Sequence, residues 1–151
     1  MIKNREIFGI VPLICGILVI ISLITSFFYN PVSNTRVWLI GLQHDIDQGI
    51  FSFPLRFDSL IKGIIVFFCF LCCAISLIRT FFMTWRAKWK ATIIKRIWLI
   101  TGLVLILISV INYVFLMLIP EATQIIMELG FYGPIIASII AFIGLFFYRN
   151  V

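Results

Sequence analysis

Three sets of side chains have the types and spacing that chemistry uses. His44, Asp45 and Asp47 lie within four positions and offer nitrogen and carboxylate donors to a divalent metal. Cys69, Cys72 and Cys73 include a C-x-x-C spacing, which redox pairs and zinc sites share. Asn112 is the deepest strongly polar residue of an otherwise apolar run. Each has a plainer account. The His44 set sits in a polar turn-like stretch, where three donors arise by chance. The cysteines sit in an apolar segment with no histidine or acid beside them, so they read as small buried hydrophobes. Cys69, Cys72 and Cys73 also lie six or more residues inside Arg79, too deep for ordinary S-palmitoylation. Asn112 reads as one half of an interhelical hydrogen bond. The chain has one histidine and no GxSxG, HExxH or phosphate-loop pattern. We expect no enzyme, no metal and no cofactor.

The elements that carry these residues are dominated by apolar runs. Of 151 residues, 63% are hydrophobic and 12% charged, against roughly 45–50% and about 25% in soluble domains. Lipid, rather than a protein core, is the solvent that accommodates this composition. The net charge of +6 does not read as a nucleic-acid surface. Six of the twelve basic residues crowd into Arg79–Arg96, between apolar segments. That placement orients a membrane protein.

The expected fold is an all-α membrane protein, a four-transmembrane-helix bundle with a small β-hairpin in its first external loop. The spans are placed at 8–29, 60–83, 97–119 and 131–148. The connections are an external loop at 30–58, a cytoplasmic loop at 84–96 and an external loop at 120–130. Twenty-two residues in the first run reach roughly 33 Å, enough for a hydrocarbon core of about 30 Å. That run continues into Phe27-Phe28-Tyr29 without a small-residue cleavage site, so it reads as a retained span rather than a signal peptide. Residues 121–130 read equally as a helical extension or a short loop.

Orientation follows from the basic residues. Lys3, Arg5, Arg79, Arg86, Lys88, Lys90, Lys95, Arg96 and Arg149 fall on one side, and only Arg36, Arg56 and Lys62 on the other. The positive-inside rule makes the first side cytoplasmic, with both termini, in a plasma membrane. Trp85, Trp89 and Trp98 flank the basic loop as an aromatic belt. Trp85, Arg86, Lys88, Trp89, Lys90, Lys95 and Arg96 are therefore candidates for contact with anionic lipid headgroups.

Two stretches of the first external loop are rich in β-branched and aromatic residues: 35–40 and 50–53. Gln43–Gly49 between them reads as a polar turn. Alternation places Trp38 with Ile40, and Phe51 with Phe53, on one sheet face. Trp38, Leu39, Gly41, Leu42, Phe51 and Phe53 are the candidate contact residues. In the fourth span Gly130, Gly133, Ala137, Ala141 and Gly144 share one helix face, which suits close packing within the bundle or against another chain. No ionisable residue lies near the middle of any span, which argues against a proton-coupled pump.

This layout resembles the claudin and peripheral-myelin-protein group of four-span proteins. Trp38-Leu39-Ile40-Gly41-Leu42 is similar to that group's W…GLW signature. Ile100-Thr101-Gly102-Leu103 with Asn112-Tyr113 resembles its third span, and Glu128–Gly133 the start of its fourth. Gln43 stands where the signature has its second tryptophan, and the paired loop cysteines are missing. The resemblance implies a non-enzymatic protein of cell contact, barrier formation or membrane organisation, acting through its first external loop. Two other expectations stand beside it. One is an accessory subunit of a larger membrane complex, docking through the fourth span. The other is an oligomeric channel lined by Ser22, Thr25, Ser26, Ser109 and Asn112. The expected partners are the bilayer and further copies or other chains at the fourth span or external loop.

Overall fold

The computed structural model describes residues 9–40, 42–53, 57–85, 91–117 and 125–149. Four helices pack side by side: α1 (Val11–Ile24), α2 (Phe57–Trp85), α3 (Ala91–Met117) and α4 (Leu129–Arg149). Neighbours in the bundle are α1 with α2, α2 with α3, α3 with α4, and α4 with α1. Three of them, at Ile61–Trp85, Thr92–Val114 and Leu129–Tyr148, are long and apolar enough to cross a membrane. The described part of α1 has 14 residues, about 21 Å.

The outward faces of these helices are apolar. Ile14, Ile17, Ile21 and Ile24 run along α1, Ile100, Leu103, Leu107 and Val110 along α3, and Ile136, Ile139, Ile143 and Phe146 along α4, all exposed. A water-facing helix carries its polar residues on that stripe. Inside, Cys15, Val19, Phe70, Ala74, Leu77, Trp98, Leu105, Ala137 and Ala141 form the core. Buried hydroxyls turn back on their own helices. Ser22 donates to the Leu18 carbonyl, Thr101 to Ile97 and Ser109 to Leu105, at 2.7, 2.8 and 2.8 Å.

Small residues set the helix spacing. A Cβ at Gly133 would overlap Ser22 Oγ, one at Gly144 would lie 2.6 Å from a Val11 methyl, and one at Gly16 would lie 2.7 Å from Ile78. The small-residue face of α4 therefore meets α1 and Trp98 of its own chain.

The expected single hairpin is replaced by a five-stranded antiparallel sheet, β1 (Phe28–Asn30), β2 (Thr35–Val37), β3 (Gln43–Asp45), β4 (Ile50–Ser52) and β5 (Ile126–Met127), in the order β4-β3-β2-β1-β5. The first span, expected to run to Tyr29, ends as a helix at Ile24. Thr25 takes an extended conformation and donates its hydroxyl to the Ser22 carbonyl at 3.2 Å. The aromatic run after it pairs as a strand, Phe28 opposite Val37 and Asn30 opposite Thr35. Gln43–Asp45, expected as a turn, is a strand between β2 and β4, and the turn contracts to the four residues before Ile50. Residues 126–127 add a strand from the second of the expected external connections. The stretch expected as a strand over 35–40 stops at Val37. Helices α2 and α3 begin earlier than the spans placed on them, at Phe57 and Ala91.

Candidate functional site

The sheet is built at the bundle end where α1 stops and α2 and α4 start. Its strands are short, three residues or two, too short to stand alone in water. Side chains from distant parts of the chain hold it.

Trp38 supplies the first link. Its indole Nε1–H donates to the Ile24 carbonyl at 2.9 Å. That carbonyl is among the last four of α1, which have no helical partner. The residue proposed as a contact thus closes a helix. Its backbone N–H donates to the Leu42 carbonyl at 2.8 Å, closing the β2–β3 connection. Leu39 and Leu42 are half-buried, and Leu39 packs on both apolar clusters of the core. The Leu39 carbonyl lies so close to α2 that a Cβ at Gly63 would overlap it. Gly41 lies outside the described residues.

Glu128 supplies the second link. Its carboxylate accepts a hydrogen bond from the Ser26 hydroxyl and pairs with Arg36 Nε at 3.4 Å. The backbone repeats the join: Glu128 N–H donates to the Phe27 carbonyl at 3.1 Å and Gly130 N–H to the Ser26 carbonyl at 3.0 Å. A Cβ at Gly130 would lie 2.6 Å from that same oxygen. Phe27 and Phe131 meet edge to face at 5.4 Å beneath this point. One carboxylate ties the end of α1, strand β2 and the start of α4 together. The hydroxyl bond dominates, because Arg36 is 51% exposed, where an ion pair contributes less than about 1 kcal/mol.

The turns have their own side-chain supports. Asn30 Oδ1 accepts the Val32 N–H at 3.0 Å, and Asp45 Oδ1 accepts those of Asp47 and Gln48 at 3.0 and 3.1 Å. Asn34, in the left-handed region at φ 46°, accepts from Tyr29 Oη at 2.8 Å and donates to Asp47 at 2.6 Å. The carboxylates of the His44 set are thus parts of turns, and the His44 ring stacks on Phe51 at 4.3 Å. Among the described residues, no cluster of three His, Cys, Asp or Glu could hold a metal ion.

Strand β4 is one edge of the sheet and β5 the other. Ile50, Phe51 and Phe53 are 55%, 60% and 60% exposed. Trp38 and Phe51 approach with ring centroids 6.1 Å apart, while Ile40 falls in a turn.

Other sequence candidates separate. Gly130, Gly133, Ala137, Ala141 and Gly144 are all buried within the chain. Among the described residues, the buried Nδ2 of Asn112, expected in an interhelical bond, has no hydrogen-bond partner. Trp98, expected in an interfacial belt, is 1% exposed in the core beside Tyr148 at 5.8 Å. The small Gly144 leaves room for it, with a Cβ there 3.0 Å from the indole. Trp85 and Arg96 are exposed at the end opposite the sheet, and Lys95 Nζ sits over the Tyr148 ring at 5.3 Å. Arg86, Lys88, Trp89 and Lys90 lie outside the described residues. Cys69 and Cys72 face outward on α2, and only Cys73 of that group is buried.

The sequence named Ser26 only as a pore-lining candidate, Arg36 only as an external basic residue and Glu128 only within the fourth-span resemblance, and it did not name Gly63. Gly63 does carry a sequence signal, as a lone gap in an apolar helix. Compared with known proteins, the chain matches no family model, no curated protein and no solved structure.

Proposed function

We propose that the chain is a non-enzymatic four-span membrane protein of the claudin-like kind, whose sheet makes contacts outside the cell. The supporting observation is the apolar free edge at Ile50, Phe51 and Phe53, held out on a sheet anchored at one end of the bundle. The outward apolar stripes of the helices favour lipid as their surroundings, because soluble monomers rarely expose continuous patches beyond a few hundred Å². The strands β1 to β4 of the first connection, between 28 and 52, are the feature the claudin-like reading asks for. The basic end of the bundle, with Lys95 and Arg96, faces the cytoplasm.

An accessory subunit docking through the small-residue face of α4 is less favoured, because α1 and Trp98 fill that face. A polar pore is less favoured too, because Ser22, Thr25 and Ser109 donate to carbonyls of their own helix or its end.

The test is the double variant Phe51→Ser/Phe53→Ser, expressed in cells and followed at contacts between expressing neighbours. The wild-type chain is expected to concentrate at such contacts, and the variant to reach the surface in equal amount but spread evenly. Equal concentration of both proteins at contacts would sink the proposal.

A further inference from the structure

A groove of about 280 Å³ opens between α2 and α3 in the half of the bundle remote from the sheet. Its walls are Cys72, Ile75, Ser76, Arg79, Thr80 and Ile97. Along α2 they follow one face, from Cys72 through Ile75 and Ser76 to Arg79, about 10 Å of helix. Cys72 and Ile75 are exposed on the outward apolar side, whereas Thr80 is 3% exposed on the inner side. The groove therefore opens sideways, toward the surroundings of the bundle.

Its two ends differ chemically. Cys72 and Ile75 make an apolar end, while Ile97, one turn before Thr101 on α3, lines the wall nearer Arg79. At the other end stands Arg79, less than two turns from the end of α2. The hydroxyl groups are engaged within the helix pair: Ser76 and Thr101 oxygens lie 3.2 Å apart, and Thr80 donates to the Ser76 carbonyl at 2.7 Å. The Arg79 guanidinium brings a permanent positive charge and five N–H groups to that end. Arg96, exposed next to the wall residue Ile97, adds positive potential at the same end.

A basic site between membrane helices, close to one surface and continuous with an apolar trough, is complementary to a lipid that carries a phosphate anion on an acyl chain. We propose that this groove binds an anionic phospholipid, its phosphate on Arg79 and the start of one acyl chain running past Ile97 along Ile75 and Cys72. The inference requires α2 and α3 to be embedded in lipid, and it is independent of what the sheet contacts. A zwitterionic lipid fits the trough but brings a cationic group to the arginine, so the groove discriminates between headgroups.

The experiment uses the full chain purified in an uncharged detergent. Its melting temperature is followed while phosphatidylglycerol, phosphatidylcholine of the same chains, or glycerol phosphate is added. The expected result is a saturable rise with phosphatidylglycerol, a smaller one with phosphatidylcholine and none with glycerol phosphate. Arg79→Gln is expected to weaken the phosphatidylglycerol response about fivefold or more and to erase the preference. Ile75→Trp, which fills the trough from its exposed side, is expected to abolish the response with Arg79 intact. It also serves if the arginine variant does not fold. Arg96→Gln is expected to leave most of the preference. The proposal is overturned if wild type responds equally to both lipids, if Ile75→Trp keeps the full response, or if Arg96→Gln erases the preference as fully as Arg79→Gln. Equal stabilisation by glycerol phosphate would also overturn it, assigning the site to a soluble phosphate. A chain that stays dissolved without detergent is a separate result, which removes the membrane reading itself.

Discussion

The bundle and the sheet are held together by opposite means. Inside the bundle, Ser22, Thr101 and Ser109 bond to carbonyls four residues back, and the helices meet through glycine and alanine contacts. Those interactions are local in sequence or generic in chemistry. In the sheet, the links that matter cross long stretches of chain: Trp38 to Ile24, Asn34 to Asp47, Ser26 to Glu128. Each is one particular donor on one particular acceptor. A membrane bundle tolerates many apolar sequences that keep its small residues. A sheet of three-residue strands without a disulfide depends on a few specific bonds.

The largest expected effect comes where the two regions touch. Gly133→Leu forces a side chain into Ser22 and pushes α4 from α1, so both regions should suffer. Overpacking of this kind costs about 1–3 kcal/mol and occasionally more, and we expect the upper end, read as a drop in melting temperature in detergent. Glu128→Ala should separate the regions. It leaves the Ser26 hydroxyl and Arg36 without their acceptor, a loss of about 1.5–3 kcal/mol for a bond to a charged group. Hydrogen exchange should rise in residues 26–37 and stay unchanged in 61–85. Equal loosening of both segments would show that the sheet is not an independent layer.

Trp38→Phe keeps an aromatic ring near Phe51 and removes only the indole donor, so about 1 kcal/mol is expected. The exchange increase should centre on the last turn of α1. The smallest effect belongs to Arg36→Ala, below about 1 kcal/mol, and high salt should shrink it further because Arg36 is half exposed. A loss larger than that of Glu128→Ala would reverse the ranking of the hydroxyl and the ion pair.

The same contrast explains what the sequence revealed. The positions of α2, α3 and α4 were legible because runs of apolar residues need no long-range information. The strands at Thr35–Val37 and Ile50–Ser52 were legible because their β-branched and aromatic residues announce an extended chain. Strand β1 was hidden because Phe28 and Tyr29 prolong the apolar run of α1. Strand β3, Gln43-His44-Asp45, is polar and extended only because strands lie on both sides of it. Strand β5 is two residues long, too short to leave a pattern. Glu128 looked like one more acid outside the spans, and only the fold brings Ser26 and Arg36 to it. Trp98 looked interfacial because of the basic loop before it, but the gap at Gly144 draws it inward.

The central claim is that the apolar helices cross a bilayer with the sheet on one side and the basic end on the other. Site-directed labelling tests it directly, with the four native cysteines replaced by alanine. Gln48→Cys lies in the exposed β3–β4 turn, and Thr92→Cys is exposed at the start of α3. A membrane-impermeant maleimide added to intact cells is predicted to label Gln48→Cys at once, and Thr92→Cys only after permeabilisation. Labelling of both positions from the same side, or recovery of the chain in the soluble fraction without detergent, would contradict the account.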